Sequence, residues 1–221
     1  MNFISRITDP HYWTIILLAL PGMLMGLTFH EFAHAWMANK LGDSTAKMMG
    51  RLSLNPMRHL SLVGTLAIIF FGFGWAKPVP ISPDNFNNRK RGTILVSLAG
   101  PASNLILALA FAAISRIIAL TPFSLTSFGT YLIVILGLAV FYNVILALFN
   151  LIPIPPLDGS QIFFSLISLK HIKVVLWLQK YGFILLIILM LSGLLSILIV
   201  KPAFFLTSFM IGNNPFNIPS F

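Results

Sequence analysis

Residues 12–36 read YWTIILLALPGMLMGLTFHEFAHAW, and the way this run ends decides the fold. Up to Phe29 it is apolar and long enough to cross a bilayer, which takes about 20 residues as helix. It then passes without a break into His30-Glu31-Phe32-Ala33-His34. A removable leader would end in a small-residue cleavage pattern; none is visible here, so the segment reads as a retained membrane helix. Ionisable groups following such a run are costly in hydrocarbon and mark function.

The rest of the chain supports a bilayer setting. Of 221 residues, 9% are charged and 57% hydrophobic, with mean hydropathy +0.93, against about 25% charged in an average globular chain. Windows 93–120, 127–150 and 174–200 are also long enough to span. Window 62–75 is not, since as helix it covers about 21 Å of a hydrocarbon core of about 30 Å. It is expected to enter and leave by one face. The expected architecture is an all-α membrane protein, a polytopic bundle of about four transmembrane helices. To it belong a re-entrant hairpin over 62–75 and a broken Pro-rich helix over 150–159, with 1–221 forming a single integral membrane domain.

The formal charge of +9 does not point to nucleic acid, because the basic residues are scattered among apolar segments instead of forming a stripe with stacking aromatics. Topology explains them. With the N-terminus outside, the basic residues of 40–91 and of 170–173 fall on the cytoplasmic side, Lys180 can snorkel toward it, and Arg6, Arg116 and Lys201 fall outside. Cysteine is absent, so a metal here must be held by His, Asp or Glu.

His-Glu-x-x-His supplies two such ligands. Residues at i and i+4 share a helix face, so His30 and His34 can direct their imidazoles at one metal. Glu31 then stands beside it as a base for the water that the metal activates. A charged helix end with two incidental histidines is the plain alternative, and the preceding apolar run argues against it.

Catalytic zinc keeps three protein ligands and an open position. Asp9, His11, Asp43, His59, Asp84 and His171 lie in loops or at the ends of apolar windows, so elimination selects Asp158. It follows Asn150-Leu151-Ile152-Pro153-Ile154-Pro155-Pro156-Leu157, which cannot continue as helix. Broken backbone at membrane depth is tolerated only where protein buries it or water reaches it. A loop leaving the membrane, with Asp158 capping the next helix, stays open at this point. Depth gives a loose check: His30 lies roughly 25 Å inward from Trp13, and Asn150 roughly 34 Å inward from Ser127, if both segments are helical. In the middle helix, Ala99-Gly100-Pro101-Ala102-Ser103-Asn104 joins small residues to a lone amide. Close packing with a kink at Pro101 and a role for Asn104 at the site are both open.

The sequence resembles the site-2 protease family of intramembrane zinc metalloproteases, and in particular its minimal members without an inserted PDZ domain. The resemblance rests on five motifs in order: His30-Glu31-Phe32-Ala33-His34, Gly50-Arg51-Leu52-Ser53-Leu54-Asn55-Pro56, Gly74-Trp75-Ala76-Lys77-Pro78-Val79-Pro80, Ala99-Gly100-Pro101 with Asn104, and Asn150-Leu151-Ile152-Pro153 leading to Leu157-Asp158-Gly159. It implies one zinc ion held by His30, His34 and Asp158, with Glu31 as catalytic base. It also implies that Asn104 and Asn150 sit near the site, orienting substrate backbone or stabilising the oxyanion. Many relatives carry Asp-Pro-x-Gly where this chain has Ser61-Leu62-Val63-Gly64; no proposed ligand is lost by that departure. The implied activity is peptide-bond hydrolysis in or near transmembrane segments of membrane-protein substrates, with lipid bilayer as the other partner and nucleic acid as none. The implied setting is a prokaryotic cell membrane with the site toward the cytoplasm.

Two other classes fit the composition. A metal or ion transporter could use the same intramembrane His/Asp site, and a non-cleaving relative could hold membrane proteins without cutting them. Glu31 separates the readings: in a carrier it serves ion affinity, whereas in a protease Glu31→Gln keeps zinc and loses cleavage.

Overall fold

A computed structural model describes residues 8–71 and 74–212. Residues 1–7, among them Arg6, residues 72–73 within the window 62–75, and residues 213–221 lie outside the described residues. The long helices are α1 (Pro10–Lys40), α3 (Arg89–Ala119), α4 (Ser127–Asn150) and α6 (Ile172–Leu191), each long and apolar enough to cross a membrane. Between them lie α2 (Leu62–Phe71) and α5 (Asp158–Leu166), and α7 (Lys201–Ile211) closes the series.

Local chemistry sets the helix starts. Asp9 accepts from the His11 N–H at 2.9 Å, with Pro10 at the first helical position of α1. Asn88 accepts from Arg91 N at the head of α3, and Thr126 Oγ1 from Gly129 N at the head of α4. Helices α1, α3 and α4 pack on one another as the heart of the bundle. Small residues set their spacing: a Cβ on Gly22 of α1 would stand 2.5 Å from Ala139 Cβ of α4.

The short window behaves as its length predicts. Helix α2 runs out, and residues 74–82 return without helix, with Leu60 bridging Ala76 in antiparallel fashion. Glycine is required on both arms, because a Cβ on Gly64 would meet Trp75 O and one on Gly74 would meet Gly64 O. Ile68 of α2 packs with Ala19, Met23 and Leu27 of α1 and Leu138 of α4. The segment 151–157 is a succession of turns and bends, as its prolines require, and helix resumes at Asp158.

The fourth window is corrected. Residues 174–200 are not one helix: α6 ends at Leu191, Gly193 turns the chain at φ +74°, and a π-helical turn, Ser196–Val200, leads into α7. A positive φ of this kind favours glycine. Leu195, Ile199, Ala203 and Thr207, four apart, are all buried, a single face laid along α3 and α4. Arg116 Nη2 donates to Phe209 O at 2.8 Å and fastens the end of α3 to the end of α7.

Candidate metal centre

His30 and His34 lie one turn apart on α1, with ring centroids 4.6 Å apart and their Nε2 atoms 3.0 Å apart. Asp158, the first residue of α5, brings Oδ2 to 3.1 Å from His30 Nε2 and 3.3 Å from His34 Nε2. Both histidines are buried, while the Asp158 side chain keeps 21% of its surface exposed. The carboxylate does not cap its helix; Leu157 occupies the cap position and Oδ2 has no hydrogen-bond partner. Gly159 permits this placement, since a Cβ there would stand 2.3 Å from Leu151 O.

The proton positions follow from the outer partners. His34 Nδ1 lies 2.7 Å from Val96 O, an oxygen that only accepts, so the ring donates from Nδ1. His30 Nδ1 lies 2.7 Å from Asn104 Oδ1. Asn104 Nδ2 donates to Gly26 O and to Asn143 Oδ1, each at 3.0 Å, which fixes Oδ1 toward the histidine. With Nδ1 of each ring engaged outward, both Nε2 atoms turn inward, where they meet the carboxylate oxygen. Two imidazole nitrogens and a carboxylate oxygen converging in this way are the donor set of a divalent cation. His30, His34 and Asp158 are the group among the described residues whose ligand atoms lie within 4.8 Å of one another. The residues fit a metal.

Gly100 on α3 closes the floor of the centre. A Cβ there would stand 2.5 Å from His34 Nε2 and 2.6 Å from His30 Cε1. Glu31 Oε2 accepts from the Val79 N–H at 2.9 Å. Val79 belongs to the return arm of the short hairpin. That arm is anchored by Arg51, whose buried guanidinium donates to Lys77 O and Pro78 O, and by Lys77 N donating to His59 O.

The two asparagines divide. Asn104 is fully buried and its amide is engaged on both sides, so it has no donor left for substrate or an oxyanion. It holds His30 instead. Asn150 is partly buried at the end of α4 and donates to Leu146 O of its own helix at 3.0 Å. Sequence reasoning missed Asn143, Val96 O and Val79 N–H. The last two are backbone atoms and carry no sequence signal; Asn143, a lone amide in an apolar helix, carried the same signal as Asn104.

The profile of peptidase family M50 matches residues 115–191, a stretch that contains Asp158. A protein of Bacillus subtilis, YwhC, provisionally named a zinc metalloprotease, is 40% identical over 173 residues, covering 78% of this chain and 79% of the relative. The chain belongs to peptidase family M50. Rip2 of Mycolicibacterium smegmatis, also provisionally named a zinc metalloprotease, is 30% identical over 190 residues, covering 84% of this M50 chain and 71% of its own. A zinc metalloprotease of Methanocaldococcus jannaschii is 25% identical over 199 residues, 89% of this chain and 48% of its own. No solved structure matches significantly. The resemblance to site-2 proteases is thereby borne out, zinc is the cofactor that goes with it, and the chain is an integral multi-pass membrane metalloprotease of that family.

Proposed function

We propose that this M50 protein is an intramembrane zinc metalloendopeptidase, a single peptidase domain over 1–221, that hydrolyses peptide bonds in or near transmembrane segments of membrane-protein substrates. The observation that carries the reading is the convergence of three acceptor atoms, His30 Nε2, His34 Nε2 and Asp158 Oδ2, with Glu31 adjacent in sequence and outside the triangle. Zinc, when bound, lowers the pKa of water and polarises a carbonyl. His30, His34 and Asp158 hold it, and Glu31 takes the proton of the attacking water on a carboxylate oxygen and passes it to the leaving amine.

A substrate helix hides its carbonyls in its own hydrogen bonds and must be unwound to be cut. The return arm of the hairpin, tied to Glu31 through Val79, supports a mode in which an extended substrate segment pairs alongside it. A cleft lined by Leu60, Trp75, Ala76 and Lys77 opens at this arm. The basic residues flanking the hairpin, Arg58 and Lys77, favour a site on the cytoplasmic side of a prokaryotic cell membrane.

The test pairs wild type with Glu31→Gln in liposomes carrying transmembrane peptides, with bound zinc measured in both. The expected result is cleavage by wild type only, with zinc in both proteins. Zinc lost in Glu31→Gln together with ion flux in wild type moves the assignment to a transporter. Zinc bound with no peptide cut moves it to a non-cleaving relative.

A further inference from the structure

Asn143 lies on α4, fully buried and out of contact with the ligand triangle, yet it is linked to it. Its Oδ1 accepts from Asn104 Nδ2 at 3.0 Å, and its Nδ2 donates to Ala139 O at 2.8 Å and to Gly22 O at 3.2 Å. Both donors therefore face carbonyls that can only accept, so the amide of Asn143 has one orientation. That orientation fixes the next. If Asn104 turned over, its Oδ1 would face both Gly26 O and Asn143 Oδ1, two contacts between acceptors. Its Nδ2 would also face His30 Nδ1, and a ring that accepts at Nδ1 must carry its proton on Nε2. That proton would point into the place between His34 and Asp158 where the metal goes.

Two glycines make room for the link. A Cβ on Gly26 would stand 2.6 Å from Asn143 Oδ1, and one on Gly22 would stand 2.5 Å from Ala139 Cβ. The motif Gly22-Met23-Leu24-Met25-Gly26 brings α4 close enough for a side chain of asparagine length to reach the backbone of α1 and the amide of α3 together.

We propose that Asn143 is a positioning residue for the metal centre: by locking the Asn104 amide, it holds the His30 proton on Nδ1 and leaves the Nε2 lone pair for the metal. This rests on the metal reading given above. The competing role, an asparagine serving only as glue between helices, gives stability without metal specificity, and the two part on measurement.

Zinc affinity is measured by chelator competition in detergent, together with the visible spectrum of the cobalt-substituted protein and the thermal midpoint without metal. Asn143→Ala is expected to weaken zinc binding about 10- to 100-fold, the range for outer partners of metal ligands, and to alter the cobalt ligand-field bands. Asn143→Asp, neutral when buried, keeps one oxygen to accept from Asn104 and a hydroxyl to donate to Ala139 O. It is expected to restore affinity to within about threefold of wild type. Val144→Ala removes a neighbouring fully buried side chain and is expected to lower the midpoint while leaving affinity and spectrum unchanged. Asn143→Ala with wild-type affinity and spectrum overturns the proposal. So does a Val144→Ala variant that loses zinc equally for the same loss of stability. Should Asn143→Ala not fold, ¹⁵N-histidine spectra of zinc-loaded wild type decide: His30 protonated at Nδ1 supports the proposal, and His30 ligated through Nδ1 sinks it. A wild type that binds no zinc at all removes the metal reading, and this inference with it.

Discussion

The Val79 N–H donates to Glu31 Oε2 at 2.9 Å across 48 positions of sequence, so the orientation of the proposed base is set by the return arm of the hairpin, not by its own helix alone. That arm is held by Arg51, which donates to Lys77 O and Pro78 O. Arg51→Met keeps much of the volume and removes the grip. The expected outcome is peptide cleavage slower by about 10- to 100-fold, the scale of small misplacements near reacting groups, with zinc content unchanged because no ligand is touched. Steady-state cleavage and metal analysis on the same preparation check both halves. Loss of zinc in Arg51→Met would mean that the return arm supports the ligands instead of Glu31.

Gly100→Ala probes the floor of the centre. The added Cβ would stand 2.5 Å from His34 Nε2 and 2.6 Å from His30 Cε1, well inside contact distance. Either α3 moves away from α1 or the imidazoles rotate, and both disturb the ligand triangle. Zinc affinity is expected to fall by at least about tenfold, measured by chelator competition. Ala99→Gly, its neighbour in the chain, serves as the control that changes α3 without entering the centre.

How much of this was legible in the sequence depends on whether the signal was local. His30 and His34 were readable because helical spacing alone puts them on one face, and Asp158 because the chain has only 5 acidic residues, most of them in loops. The short hairpin was readable from length against bilayer thickness. The break at Gly193 inside 174–200 was not, since residues on both sides are equally apolar and a hydropathy window cannot see a turn between two helices. Asn104 stood out beside Gly100-Pro101, with packing across the helix interface and a role toward substrate or the oxyanion both open. Its work on His30 shows only when α1, α3 and α4 are placed together, and Asn143 enters by the same route.

Asp43 reports on the loop layer at the end of α1. Burial works to raise its pKa, but donors from Thr45 Oγ1, Ser82 N, Asn85 Nδ2 and Thr45 N outweigh it, and the carboxyl is held below its ordinary 3.8. A folded pKa below the unfolded one gives stability that is complete above the unfolded value and is lost as pH falls through the folded value. Asp43→Asn is therefore expected to cost about 1.5–3 kcal/mol at neutral pH, the range for hydrogen bonds to a charged group. It should also flatten the acid limb below the ordinary carboxylate value. Thermal midpoints from neutral pH down through that range check the sign; a variant whose acid limb is as steep as wild type would assign the limb to another carboxylate.

The last prediction separates the metal-bound protein from the metal-free one. Asp158 Oδ2 lies 3.1 Å from His30 Nε2 and 3.3 Å from His34 Nε2, so without metal an imidazole that takes up a proton pairs with the carboxylate. Asp158→Asn keeps the size of the side chain but removes the charge of that pairing, so the metal-free variant is expected to be no more stable than metal-free wild type. With zinc the gap widens, because wild type gains binding free energy that the variant has lost with its anionic ligand. Thermal scans of both proteins with zinc and with a chelator give the four midpoints. The chelator should lower the wild-type midpoint and leave that of Asp158→Asn unmoved. Equal chelator sensitivity in the two proteins would remove Asp158 from the ligand set.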